Sequence, residues 1–186
     1  MKKYVGYPFG AILILFLNAC SPIRIVNTQA APDFSLADYQ TFGFAEDNAA
    51  ADTSQIRIPP EHIASLQREV TKQLQQRGVT YSASNPDLLV NLGIVVMEKA
   101  QTRQTDFRTD APYYTGQRRY TWRSREVEVG RYQEGTLSVH LVNRAQNNLV
   151  WSSEAEAVVP NKSAKVQERI AEGVEKLFSS LPTTNN

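Results

Sequence analysis

The sequence predicts an α+β domain: an antiparallel sheet of about five or six strands with two helices packed on one face. Three observations predict it. Leu137, Val139 and Leu141 alternate with Thr136, Ser138 and His140, and a polar turn then leads into a second strand-like run. Two segments, one after Pro59 and one after Asn161, carry apolar residues at helical spacing. No internal repeat is present, and strands joined by hairpins outnumber the helices.

The elements follow in order. Residues 21–32 read as a tether, or as a short first strand through Ile23, Ile25 and Val26, and Pro32 ends that segment. Residues 33–39 read as a turn before a strand at residues 41–45. Residues 46–55 are polar and alanine-rich, the pattern of a mobile loop. Pro59-Pro60 opens a helix, because proline is tolerated in a first helical turn. Ile63, Leu66, Val70 and Leu74 form its apolar stripe, with Gln67, Arg68, Lys72 and Gln75 on the wet side. Gly78 is a C-terminal stop. Asn85-Pro86-Asp87 is turn chemistry. Residues 88–97 are nearly continuous apolar sequence, as in a central strand with both faces at least partly covered.

Residues 98–118 are polar and contain Ala111-Pro112, so they read as a long connection. Residues 120–129 return to a strand pattern. Their apolar parity shifts from Tyr120 and Trp122 to Val127 and Val129, which predicts a bulge near residues 124–126. Residues 143–148 make the hairpin turn. Leu149, Trp151, Ala155, Ala157 and Val159 then share one face, with Ser152, Glu154 and Glu156 opposite. The last helix starts near residues 161–163, carries Val166, Ile170, Val174, Leu177 and Leu181, and is closed by Pro182.

The first twenty residues concern location. Lys2 and Lys3 precede an uncharged stretch that is most strongly apolar over residues 11–17 and ends in Asn18-Ala19-Cys20. A membrane-crossing helix needs about 20 apolar residues. This stretch is shorter and contains Pro8, so it reads as a signal peptide. Leu17-Asn18-Ala19-Cys20 resembles the lipobox of bacterial lipoproteins. That resemblance implies lipid, including palmitate, on Cys20 and signal cleavage between Ala19 and Cys20. Several acyl chains make a strong anchor, at about 0.8 kcal/mol per buried methylene. Ser21, rather than Asp, implies the outer membrane, with the protein facing the periplasm. The expected division is a signal peptide over 1–19 and a lipidated tether or short strand over 20–32. A single domain over 33–182 and a tail over 183–186 follow.

Composition narrows the chemistry. The formal charge of +1 argues against a dedicated nucleic-acid binder. Without residues 1–19, eighteen basic side chains face nineteen acidic ones, so lipid rather than general basic attraction holds the protein at a membrane. One cysteine makes neither an internal disulfide nor a cysteine-rich metal site. The only histidines, His62 and His140, are not at ligand spacing, so no metal or cofactor is expected. His62 reads as a solvent-exposed residue of a first helical turn. No Gly-x-Ser-x-Gly elbow and no phosphate-cradling glycine loop occur, and no catalytic residue is assigned. Glu126/Glu128 and Glu154/Glu156 each place two carboxylates on one strand face, about 7 Å apart, a spacing that overlaps that of paired glycosidase acids. Glutamates alternating on a wet face have the same spacing.

One stretch stands out. Between Arg103 and Tyr132 lie seven arginines and only four acids, interleaved with Phe107, Tyr113, Tyr114, Tyr120, Trp122 and Tyr132. Arginine with aromatic residues suits anionic or sugar-bearing surfaces and protein interfaces. The candidate patch is Arg118, Arg119, Tyr120, Trp122, Arg123, Arg125 and Tyr132. A solvated hairpin with strand-typical aromatics is the plainer reading. The leading expectation is a non-enzymatic envelope binding or assembly module. Its partner would be an envelope protein, a glycan or an anionic lipid, and not nucleic acid. A glycan hydrolase built on the paired glutamates and a purely structural envelope protein are the alternatives.

A family resemblance covers roughly residues 24–182. The elements that carry it are Asp33-Phe34 with Tyr39-x-Thr41-Phe42, the helix ending at Gly78, and Asn85-Pro86-Asp87-Leu88-Leu89-Val90-Asn91. Glu134-Gly135-Thr136-Leu137 through Leu141-Val142, and Leu149-Val150-Trp151, complete the set. In their order and spacing they resemble a bacterial lipoprotein family, domain of unknown function four-one-three-six. Its members often carry acidic residues where this chain has His140 and Asn143. The resemblance implies location and fold, not a reaction.

Overall fold

A computed structural model describes residues 23–45, 58–110 and 123–182. The strands are β1 (Arg24–Ala30), β2 (Thr41–Phe44), β3 (Thr80–Tyr81), β4 (Leu88–Gln104), β5 (Glu126–Asn143) and β6 (Asn148–Val158). The helices are α1 (Pro60–Gln76), a single turn α2 (Phe107–Asp110) and α3 (Ser163–Phe178). All six strands join one sheet in the order β1-β6-β5-β4-β2-β3.

The sheet is mixed, which corrects the antiparallel expectation. β2 runs parallel to both β3 and β4, while β1, β6, β5 and β4 pair antiparallel. The chain leaves β2, passes through α1 and returns in the same direction, and a helical crossover of this length makes parallel pairing possible. Asp87 holds the junction. Its Oδ2 accepts from the Gln40 and Thr41 amides at 3.0 and 2.9 Å, and its own amide donates to Thr41 Oγ1 at 3.0 Å. The Gln40 and Thr41 amides, with the Thr41 hydroxyl, hold the Asp87 carboxyl below the usual aspartate range.

The core lies where β4, β5 and β6 meet α1 and α3. Val90, Leu92 and Ile94 stand opposite Leu141, Val139 and Leu137, and Leu141 in turn stands opposite Trp151. Trp151 is fully buried and packs on Phe178 at 5.5 Å between ring centroids. Leu66, Val70 and Leu74 of α1 join Val174 and Leu177 of α3 in the same cluster. Gly78, at φ +90°, ends α1. The Gly78 amide donates to Gln75 O, and the Val79 amide donates to Leu74 O, which satisfies two orphan carbonyls. Arg77 then ties the helices together. Its Nη1 donates to Gln73 O and Oε1 at 2.9 and 2.7 Å, and its Nη2 donates to Phe178 O at 3.0 Å.

Several local expectations shift. Residues 24–30 take the strand alternative and cover the edge of β6. Residues 98–104 are not connection but continue β4, and the connection starts at Thr105. Polar residues form strand there because β5 supplies the whole hydrogen-bond ladder. The bulge lies at Val129, between Glu128 opposite Thr102 and Gly130 opposite Gln101, rather than at residues 124–126. A second irregularity at Val150 turns Leu149 away from the Trp151 face, and Leu149 is 47% exposed opposite Val142. Helix α3 ends at Phe178, so Leu181 is buried just beyond it. The loop expected over residues 46–55 lies outside the described residues.

Two outcomes test this architecture. Arg77→Ala should destabilise the fold by about 2 kcal/mol, because it removes charge-assisted hydrogen bonds that bridge two helices. A lowered urea midpoint checks it. Asp87 is more acidic folded than unfolded, so its contribution is present above about pH 4 and is lost as pH falls through the folded value. Asp87→Asn should therefore be less stable at neutral pH and lose less stability than the parent on acidification below about pH 4, read by thermal melts.

Candidate functional site

Strand β6 ends at Val158, opposite Glu134. Beyond that point β4 and β5 continue as a two-stranded ribbon over residues 97–104 and 126–134, roughly 25 Å long. Every residue from 97 to 104 is exposed, so no apolar layer supports it. Ion pairs supplement the ladder. Lys99 pairs with Glu134, and Arg131 bridges Glu98 at 2.9 Å and Glu128 at 2.8 Å. Thr102 Oγ1 donates to Glu126 at 2.5 Å. Glu134 raises the Lys99 pKa, and Glu128 with Glu98 raises that of Arg131.

The free end is differently charged. Arg103 forks onto Asp110, with Nη1–Oδ2 at 2.7 Å and Nη2–Oδ1 at 2.5 Å. The Arg103 guanidinium and then the Asp106 amide hold the Asp110 carboxyl far below the usual range. The Thr105 amide donates to Arg125 O at 2.7 Å, and the Arg125 amide to Thr105 Oγ1 at 2.8 Å, closing the ladder. These contacts use the backbone of Arg125 and leave its side chain exposed. Arg108, Arg123 and Arg125 are all exposed and make no ion pair among the described residues. Phe107 stands in the same turn, 51% exposed. Among the described residues of this end, 103–110 and 123–125, Arg103, Arg108, Arg123 and Arg125 stand against Asp106 and Asp110, so this end of the ribbon carries a basic excess.

The patch read from the sequence is thus divided. Arg123 and Arg125 sit at the ribbon end beside Arg108 and Phe107. Tyr132 does not join them, since it lies half-buried near the base, opposite Lys99 and roughly 20 Å along the strand from Arg125. Arg118, Arg119, Tyr120 and Trp122 lie outside the described residues, as do Ala19 and Cys20.

The glutamate pairs occupy different places. Glu126 and Glu128 are on the ribbon, and Glu128 is held by Arg131. Glu154 and Glu156 are on β6, and Glu156 is held by Arg24 at 2.5 Å. Following the ladders, Glu126 and Glu156 are nine positions apart along β4, roughly 30 Å. Asn143 serves the hairpin turn, donating to Tyr39 OH at 3.3 Å and accepting from the Gln146 amide at 3.1 Å. Among the described residues, no group of three or more His, Cys, Asp or Glu is placed to hold a metal ion. Among them, no helix is long and apolar enough to cross a membrane.

A second feature lies between the helices and the sheet. An apolar cavity of about 450 Å³ opens between α1, α3 and the sheet. Ile94, Leu137 and Ala155 floor it, Leu66 and Ile170 wall it, and Ile23 closes one side. Trp151 fills the equivalent space at the other end of β6, whereas Ala155 and Ala157 leave it open. His62 lines this cavity and is half-buried, which corrects its expected exposure. Its Nε2 is buried and makes no hydrogen bond among the described residues. The sequence signal was the run of small residues, Gly135, Ala155, Ala157 and Gly173, at positions that face the core.

The fold is similar to a PDZ domain protein from Parabacteroides distasonis ATCC 8503, with TM-score 0.52 and 13% identity, covering 89% of this chain and 36% of that one. The chain therefore spans about a third of that protein's length. A PelC dodecamer from Paraburkholderia phytofirmans gives TM-score 0.46 and 11% identity, over 88% of this chain and 99% of that chain. No curated protein matches the sequence. The family model for Domain of unknown function (DUF4136) matches residues 26–183, which takes in the sheet, both long helices and the ribbon, and the chain belongs to that family.

Proposed function

We propose that this is a lipid-anchored cell-envelope protein, held at the outer membrane through Cys20 and facing the periplasm. In this reading it is a non-enzymatic binding or assembly module, and the end of the ribbon is its contact element for an anionic partner. The observation that carries the reading is a shared direction. Strand β1 pairs from Arg24 opposite Glu156 to Ala30 opposite Trp151, so the chain enters β1 from the end of the sheet where the ribbon projects.

The lengths make that direction matter. Cys20 is four residues before Arg24, a reach of at most roughly 14 Å. The ribbon end lies nine positions beyond the register of Arg24, roughly 30 Å. An acylated Cys20 would hold the body nearer the bilayer than the ribbon is long. The ribbon then lies against the membrane surface, where Arg108, Arg123 and Arg125 meet anionic groups. Guanidinium forks match phosphate and carboxylate oxygens, and Phe107 adds an apolar contact at the same place.

Two measurements check the two halves. Cys20→Ala should abolish labelling by radioactive palmitate and leave the chain unprocessed or soluble, and persistent labelling would disprove the anchor. Replacing Arg118, Arg119, Arg123 and Arg125 with Ser in the full-length Cys20→Ala chain should weaken co-sedimentation with phosphatidylglycerol vesicles by roughly tenfold or more. The parent's binding should itself fall as salt rises. Equal sedimentation by a folded variant would remove the ribbon from the reading and leave the anchor untouched.

A further inference from the structure

We propose that the apolar cavity is an acyl-chain site and that its occupant is one of the chains carried by Cys20. This inference rests on the lipid-anchored reading above. Four features of the cavity point to it.

The first is size and lining. A volume of about 450 Å³ lies within the range of small-molecule pockets, and the wall is mainly aliphatic. Water gains little in such a space, because the wall offers few hydrogen-bond partners. A flexible hydrocarbon chain satisfies the wall instead. The second is connection. Ile23 is part of the wall and stands three residues after Cys20, so the two are separated by at most about 10 Å of chain. The third is a fixed exit. Lys176 Nζ donates to Ile23 O at 2.6 Å, which ties the root of the N-terminal segment to α3 beside the cavity. The fourth is a polar contact. His62 Nε2 is buried at the wall with no hydrogen-bond partner among the described residues. An ester or amide carbonyl at the head of an acyl chain would supply one when the imidazole carries its proton on Nε2.

A seated chain is withdrawn from the bilayer, while the other chains on the same residue remain inserted. Since one chain alone binds a membrane marginally and two bind it stably, the protein stays anchored in either state. Seating would draw the body down onto the membrane surface.

Cells fed a photoactivatable diazirine palmitate supply the test. The full-length lipidated protein is irradiated in its own membrane, and mass spectrometry maps both the acylated peptide and the cross-links. The expected result is label on Cys20 and cross-links from that same chain to peptides containing Leu137, Ala155 or Ile170. Val166→Trp narrows the cavity from α3 and should lower these cross-links severalfold without removing the label from Cys20. Ala157→Trp does the same from the sheet side, should either variant fail to fold. Label on Cys20 with cross-links to phospholipid alone overturns this inference and leaves the anchor standing. Cavity cross-links from a lipid not joined to Cys20 overturn the stated occupant. Absence of label on Cys20 overturns the anchor reading and this inference together.

Discussion

The antiparallel ladder between β4 and β5 is the constraint on which the rest depends. It runs from Leu88 opposite Asn143 to Gln104 opposite Glu126. Its inner half is locked in register by Val90 against Leu141, Leu92 against Val139 and Ile94 against Leu137. A slip of one residue would turn the three side chains of the slipped strand to the opposite face of the sheet. The outer half has no such lock of its own. An isolated two-stranded hairpin is marginal in water, so the ribbon persists because it continues strands already held in the core. Its bare edges are charged, with Glu98, Lys99 and Arg131 along them, which discourages pairing with another chain.

The same ladder explains what could be read from the residues and what could not. Alternation of Leu137, Val139 and Leu141 identified the buried hairpin because one face of it meets a core. Gly78 identified the end of α1 because a left-handed residue is needed there. Residues 98–104 gave no signal, since a strand exposed on both faces has no apolar period to display. The parity change between Trp122 and Val127 does not mark the observed bulge at Val129, because residues 123–125 precede β5 and no buried face indexes the outer half. Asn85-Pro86-Asp87 was legible as a turn. Its grip on Gln40 and Thr41 was not, because that contact joins residues 46 and 47 positions apart.

Site residues divide along similar lines. Arginine and aromatic content marks the ribbon end, yet Tyr132, near those residues in sequence, is carried by the strand well away from them. The cavity was hidden for a different reason, since it is made by atoms that are missing. Ala155 and Ala157 look like ordinary strand residues until Trp151, four positions before Ala155 on the same face, shows how much volume that layer holds. The place of His62 in a first helical turn predicts exposure, and only the packing of that turn over the sheet makes it a wall residue.

The bulge at Val129 has a consequence for which way the charges point. In a regular strand, residues three apart face opposite sides. Arg131 and Glu128 are three apart, and the extra residue between them brings both to one side, where they pair. The bulge is therefore a phase shift in the strand's two-residue rhythm. Outward from Val129, odd and even positions of β5 exchange faces, and the local twist increases. Glu126 and Glu128, the acids outward of the bulge, owe the faces they present to that one inserted residue.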